Sequence, residues 1–490
     1  MSFTTDNDKL FKTDAQHEKD AIRAAKSGVL AERGAPIKLS SKPLRLVVRE
    51  QAGGKEAEAW VAESGFVVRR VGLESGKTKQ LYKGHNGPVT SLDFYTTPSG
   101  RELMISGSWD KSFRVWDFQT KTCLSSTIAH IDFIKTLHVI PSLHILLTGS
   151  SDKDLRIWDL RPLDALASSL TPASTPSSVA EVDTPPTPAR EGAAPPPAIA
   201  HSPLPCLLAL KCHTRPIEVL SSLALYEPLP EGTPEDEVDL RDRQATGRFL
   251  VVSADTMGAV KLWEVWRDEQ GEVKGELRSE VRHHESGIWD MVVGQEGELW
   301  TASADNSLLL SRLSLSSASL PPAPVLRIPH PCGVRALFPL HVSPSLLSLP
   351  TPPPHYLVSG GSDELLRVFD LSSSELDPDP TREQRREWRG LPLDLAKGEK
   401  LEGCANEIEA HLHEVIQLRA YTASTGEGGR KEIWVLSASL DGTLRRWRWE
   451  ELRDKQWDKV VVVPVAEEEP KEGLLTAEEE AELEALMADD

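Results

Sequence analysis

Apolar and polar residues alternate in short stretches along most of the chain. FRVWD at 113–117 and LRIWD at 155–159 are the plainest examples, and LRLVVRE (44–50), EAWVAES (58–64), FVVRRVGL (66–73) and KTKQLYK (77–83) follow the same rule nearer the start. Alternation at period two, bounded by Gly, Asp and Ser, predicts short antiparallel strands. A single small sheet cannot bury both of its faces. Sheets packed radially around an axis cover one another and leave only short edges exposed, so the pattern predicts an all-β propeller.

A longer period overlies the short one. A His is followed four residues later by Val or Ile, then by an apolar strand, a Ser/Thr-small-Ser turn with Asp, and an aromatic residue six positions beyond that Asp. His85 and Val89 with SGSWDKSFRVWD (106–117) form the fullest copy, and His130, Ile134, Thr148, Asp152 and Trp158 form a second. Further copies start at His213 with Ile217, His284 with Ile288, His330 with Val334 and His411 with Val415. Six aligned copies resemble the WD-repeat family, and with the preceding strands at 44–83 they imply seven blades over most of residues 40 to 465.

The resemblance implies a tetrad of His, Ser or Thr, Asp and Trp in each complete repeat. It carries to His85, Ser106, Asp110 and Trp116; to His130, Thr148, Asp152 and Trp158; and to His411, Ser437, Asp441 and Trp447. Three copies depart from it: Met257 stands where Asp is expected, Ser311 where Trp is expected, and Phe369 in the aromatic slot. Two segments compete to close the last blade, IKLS near Ile37 and KVVVVPV at 459–465. Strand propensity favours the Val-rich one.

The organisation expected is an N-terminal extension over 1–35, a propeller over 36–465 and a C-terminal tail over 466–490. Thr13 with Gln16 forms a capping box and Gly28 a stop, predicting a short helix in the extension. Within the propeller, 162–205 and 372–406 read as inserted loops, and the wide His-to-second-strand spacings of the copies at His213 and His330 add two more. All four leave from one face, so the other face, with short turns throughout, should be bare. Residues 171–205 are rich in Pro, Ala, Ser and Thr and are expected to be disordered. Thr187, in Thr-Pro-Ala-Arg, has the spacing of a proline-directed phosphorylation site.

Composition narrows the function. The 490 residues carry 55 Lys and Arg against 75 Asp and Glu, a net charge of −20. Residues 466–490 hold 11 acidic residues and one Lys, half of that charge, and their capping box at Thr476 and Glu479 precedes an apolar face of Leu483, Leu486 and Met487. This balance argues against DNA and for protein partners. Arg114, Arg156, Arg367 and Arg445, each four past a turn Asp, are expected to be solvated strand positions. The start of the chain has no secretory pattern, and no stretch is apolar enough for a membrane span. Five cysteines without a CxxC pair suit a reducing cytoplasm or nucleus.

No catalytic or cofactor chemistry emerges. Ser, His and Asp recur in every unit, as fasteners do and active sites do not. Gly76-Lys77-Thr78 lacks the first Gly of a phosphate loop and sits between strands. His283-His284 and His411-Leu412-His413 each contain one His already explained by the repeat, so no metal is expected. The reading is a monomeric scaffold in a multi-subunit complex, with a ubiquitin-ligase substrate receptor or a ribonucleoprotein or ribosome-biogenesis assembly factor as alternatives. The ligase reading rests on Trp158-Asp159-Leu160-Arg161, where Arg161 would contact the adaptor. Trp109, Phe133, Arg215 and His413 lie in the short turns of the bare face and are the expected partner-binding residues.

Overall fold

The alternating stretches pair into seven antiparallel sheets of four strands each. This computed structural model describes residues 24, 26–50, 56–169, 203–211, 213–230, 238, 240–347, 349, 354–373, 401, 403–424 and 431–457. Residues 1–31 and 458–490 form one unit and 32–457 another. The second unit is the propeller. Blade 1 comprises Pro43–Arg49, Glu58–Glu63, Val67–Gly72 and Thr78–Lys83 from inside to outside. Blade 2 begins at Val89–Thr96 and blade 3 at Ile134–Ile140; blades 4 to 7 begin at Ile217–Tyr226, Ile288–Val293, Val334–Pro339 and Val415–Ser424.

The apolar core is divided by junction. Trp60, Tyr82, Met104 and Trp116 fill the space between blades 1 and 2, and Phe113, Ile134, Leu146 and Trp158 that between blades 2 and 3. Five more clusters occupy the remaining junctions. Each blade therefore buries its faces only against its two neighbours, which makes ring closure a condition of stability.

Closure comes from the N-terminal side. Ile37–Lys38 pairs antiparallel with Thr443–Arg448, Ile37 opposite Leu444, and becomes the outer strand of blade 7. The Val-rich candidate at 459–465 lies outside the described residues. Ile37 wins because it fits the junction: it is buried among Leu46, Val71, Leu73 and Leu436. The backbone N–H of Arg446 donates to the Gly34 carbonyl, and its guanidinium donates to the Leu73 carbonyl. After Arg448 the chain turns instead into a helix, Trp449–Asp454, whose Trp449 and Leu452 are buried against blades 6 and 7. Asn406 of blade 6 donates to the carbonyls of Leu452 and Lys455 at 2.9 and 3.0 Å, anchoring the end of that helix.

Other boundaries differ from expectation. Pro162–Ser169, at the head of the expected loop 162–205, is a helix that buries Leu163 beside Leu160 and Leu204. The second insert ends before 406, because Cys404–Glu409 is already the outer strand of blade 6. The N-terminal extension is helical over 26–30, so Gly28 does not stop it; its expected start lies outside the described residues.

A buried imidazole fastens six of the blades. His85 Nδ1 is 2.8 Å from Asp110, its Nε2 is 2.8 Å from Ser106 Oγ, and Trp116 Nε1 donates to the same hydroxyl at 2.8 Å. The indole can only donate, so the hydroxyl accepts from it and gives its own proton to Nε2; Nδ1–H then donates to the carboxylate. His130 repeats this with Asp152, Thr148 and Trp158, and His411 with Asp441, Ser437 and Trp447.

The departures from the pattern resolve in different ways. In the His213 repeat the carboxylate is supplied by Asp255, 3.1 Å from Nδ1, two residues before Met257. Asp255 also accepts from the backbone N–H groups of Met257 and Ala259, and Trp263 donates to Ser253, so this tetrad is complete. In the Ser311 repeat, His284 keeps Asp305 and Thr301 at 2.9 and 2.8 Å. In the Phe369 repeat, His330 keeps Ser359 at 2.9 Å, but Asp363 pairs with Arg367 at 2.6 Å. The arginine stripe is accordingly not solvated: Arg367 and Arg445 are buried, Arg445 donates to the Arg33 carbonyl, and Arg156 donates to that of Ala129.

Burial favours the neutral ring. It pushes His85 and His411 below the ordinary imidazole value despite their aspartates, and it takes His330, beside the Arg367 guanidinium, down to about 3. Burial opposes ionisation of Asp110, Asp305 and Asp441, but their hydrogen bonds to His85, His284 and His411 outweigh it and hold all three below the carboxylate range.

Asp255→Ala should cost about 1–3 kcal/mol, as an unsatisfied buried donor does, while Met257→Ala stays within about 0.5 kcal/mol of the parent in urea unfolding. Equal effects would show that the bond of Asp255 to His213 adds nothing to stability. Because the unfolded chain binds protons at His85, His330 and His411 that the folded one refuses, stability should fall as pH drops below about 6.5, and for His330 down to its folded value of about 3. His330→Phe should flatten the slope of stability against pH above pH 4; an unchanged slope would remove His330 from the linkage.

Candidate partner-binding face

The turns between second and third strands, and those between one blade and the next, are short and lie on one face. Each inter-strand turn contains one residue in the left-handed region, at φ between 63° and 81°: Phe66, Lys111, Lys153, Gly258, Asn306, Glu364 and Gly442. The slot is set by the three-residue turn and not by glycine, which occupies it only twice. Phe66, expected within a strand, therefore stands in a turn, strained and 45% exposed.

Trp109 sits two places before the left-handed Lys111. Its backbone N–H donates to the Pro88 carbonyl, and Ser108 Oγ donates to that of Gly87, so the turn is tied to the preceding inter-blade turn. The indole is 38% exposed and stacks on Phe133, itself 40% exposed, with centroids 5.1 Å apart and planes at 21°. Ile131, in the same inter-blade turn as Phe133, is 77% exposed. The structure thus brings Trp109 and Phe133 together. Arg215 is exposed on the next inter-blade turn, and His413 stands on the turn between blades 6 and 7, half-buried, its Nδ1 accepting from the Glu414 N–H at 2.8 Å. His413 is therefore far round the ring from the stack and already engaged.

A ring of residues at the channel mouth escaped the sequence reading. The inner and second strands slip register at the same point in all seven blades, as between Val89 and Ser91 or Ile288 and Asp290. Such a bulge leaves one residue out of the ladder. It is the fifth residue after the repeat His, a signal present in the sequence. These residues connect neighbouring blades: Thr90 Oγ1 donates to the Ile134 carbonyl at 2.7 Å, Lys135 lies 3.1 Å from Glu218, and Arg335 lies over the Trp289 ring at 4.0 Å and 3.0 Å from Glu414.

Deeper in the channel, Asp93 and Asp290 accept the N–H groups of Val139 and Leu337 in the next blade at 2.8 and 3.2 Å. Burial raises the Asp290 carboxyl above its ordinary value against the pull of Arg419 and Arg45, and burial together with Arg45 lowers Arg419 to about 10. On the opposite face, Arg161 chelates the carboxylate of Asp159, with its closest contact at 2.7 Å, while its side chain remains half exposed. Thr187 and the acidic tail lie outside the described residues. Among those residues no group of three His, Cys, Asp or Glu is placed to hold a metal, and no helix is long and apolar enough to cross a membrane.

Comparison with known proteins agrees with this geometry. The family described as WD domain, G-beta repeat matches residues 76–117 and 121–159, which span the first two tetrad blades. An uncharacterised WD repeat-containing protein of Schizosaccharomyces pombe is 30% identical over 108 residues, 21% of this chain and 29% of its own length. An F-box/WD-40 repeat-containing protein of Arabidopsis thaliana is 29% identical over 138 residues, 27% and 23% of the two chains. A periodic tryptophan protein 2 homolog of S. pombe is 34% identical over 61 residues, 12% of this chain and 7% of that one. The chain thus spans less than a third of these relatives.

Phe66→Gly should stabilise the propeller by up to about 1 kcal/mol, because glycine relieves the left-handed strain at a smaller entropic cost. A loss of stability in urea would show instead that contacts of the ring outweigh the strain.

Proposed function

The chain belongs to the WD-repeat β-propeller family, and from that premise we propose that it is a non-catalytic scaffold that binds a protein partner on the short-turn face. The observation that carries this reading is the solvent-facing stack of Trp109 and Phe133. The two stacked rings keep 38% and 40% of their surface exposed side by side, and aromatic residues and Arg dominate interface energies. Ile131 extends the apolar patch, and Lys111, Lys153 and Arg215 stand exposed on the same set of turns, a basic fringe on a chain of net charge −20. The partner surface that complements this is apolar at its centre and acidic at its rim. The free thiols of Cys123, Cys206, Cys332 and Cys404 favour a reducing compartment, the cytoplasm or the nucleus.

A ligase-receptor role would ask Arg161, whose side chain is half exposed, to exchange Asp159 for an adaptor's carboxylate.

The test is affinity purification of the full chain from its native cells, followed by binding measurements on the recovered partner. Trp109→Ala and Phe133→Ala should each weaken that complex by about 1–3 kcal/mol while the propeller melts normally. Full binding by both variants would remove this face from the interface.

A further inference from the structure

Each blade ends in an outer strand whose far edge has no neighbouring strand, and unpaired main-chain groups along such an edge invite another chain. Six of the seven edges are blunted. Blade 1 places Lys79 and Lys83 on its outer strand, and blade 4 carries a charge at every second position from Lys274 to Arg282. Blade 5 has Pro324 and Pro329 within Ala323–Pro329, blade 6 has Glu407 and Glu409 and is tied through Asn406 to the helix Trp449–Asp454, and the outer strand of blade 7 is two residues long. In blade 2 the outer strand Cys123–Ile128 is uncharged, but Leu204 is buried against it, its N–H donating to Thr127 Oγ1 at 2.9 Å. Blade 3 is the exception. Its outer strand Cys206–Lys211 reads CLLALK, with neither charge nor Pro before Lys211. Cys206 and Ala209 are exposed, the three leucines are half-buried, and among the described residues nothing outside blade 3 bonds to the backbone of Cys206–Leu210.

The space beside this edge is apolar on one side. Leu208 and Leu210 lie over Gly275 in the outer strand of blade 4, where a Cβ would come within 3.1 and 3.3 Å of their methyl groups. Gly275 and Leu277 are two apart in an unbroken ladder, opposite Val265 and Trp263, and therefore share the face turned toward blade 3. Leu277 is nevertheless 45% exposed. A strand added beside Leu208 and Leu210 would direct every second side chain toward it. Open main-chain groups on one side and an uncovered Leu on the other specify the occupant: an extended segment, about five residues long to match Cys206–Leu210, apolar at alternate positions. A second copy, with its own net charge of −20, is repelled. We propose that the outer edge of blade 3 accepts such a segment of a protein partner as a fifth strand, with its apolar side chains turned toward Leu277. This contact asks nothing of the stack of Trp109 and Phe133.

The test uses the full chain and amide hydrogen exchange. In the free chain, alternate amides between Cys206 and Leu210 should exchange freely. Protection of all of them would overturn the proposal, by showing that the chain's own insert or a second copy already covers the edge. Random peptides displayed and selected on the full chain, against Leu277→Asp, should be enriched in Val, Ile, Phe or Tyr at alternate positions. A selected peptide should protect the free amides of Cys206–Leu210 when it binds. N-methylating the peptide amides that face the edge should weaken it about 5-fold each, the worth of one neutral hydrogen bond, while methylating the intervening amides leaves its affinity unchanged. Leu277→Asp, at a side chain already half exposed, should weaken it about 10-fold while the chain melts normally. Equal effects from the two methylated series would overturn the proposal by marking a side-chain pocket. So would full binding to Leu277→Asp, or a selection that yields no alternating peptide. Trp109→Ala should leave the peptide's affinity unchanged, so the two readings fail separately.

Discussion

The buried imidazole at six of the seven junctions is the interaction on which the propeller depends. A four-stranded sheet of this size has no interior of its own, so each blade must be aligned with the next before either face is buried. The repeat His does this by bonding in two directions at once: Nδ1 to the carboxylate that shapes the adjacent turn, Nε2 to a hydroxyl deep in the second strand. Because it begins the passage from one blade to the next, it fixes turn and sheet together. The carboxylate may come from either of two turn positions, as Asp152 and Asp255 show, and may be missing, as at His330, provided that the hydroxyl remains. What the site requires is a buried ring with both nitrogens engaged.

That fastening explains why the two faces differ. Turns tied to a buried His cannot lengthen without breaking the tie, so the short-turn face stays uniform and its side chains are held rigidly. A large ring placed there, as at Trp109 or Phe133, is presented with little freedom left to lose on binding. The loops on the other face carry no such tie and hold the variation: the helix Pro162–Ser169 and the long second strand of blade 4.

The alternation of apolar and polar residues and the spacing from His to Val or Ile determined, without reference to the structure, that the chain makes small antiparallel sheets, that there are seven, and which connections are short. These are local properties: a strand's face follows from its neighbours two residues away, and a three-residue turn has few geometries. The tertiary structure decided whatever rests on contacts between distant segments. Ile37 closes the last blade because it packs into the pocket between Leu46 and Leu436, a contact that strand propensity does not register. Asp255 replaces the expected carboxylate because direction toward His213, and not position in an alignment, makes a partner. Arg367 is buried where Glu407 of the outer strand joins Asp363 of its own turn, and Arg445 where the distant Arg33 carbonyl accepts from it. Trp109 and Phe133 are 24 residues apart, and only closure of one blade against the next could stack them.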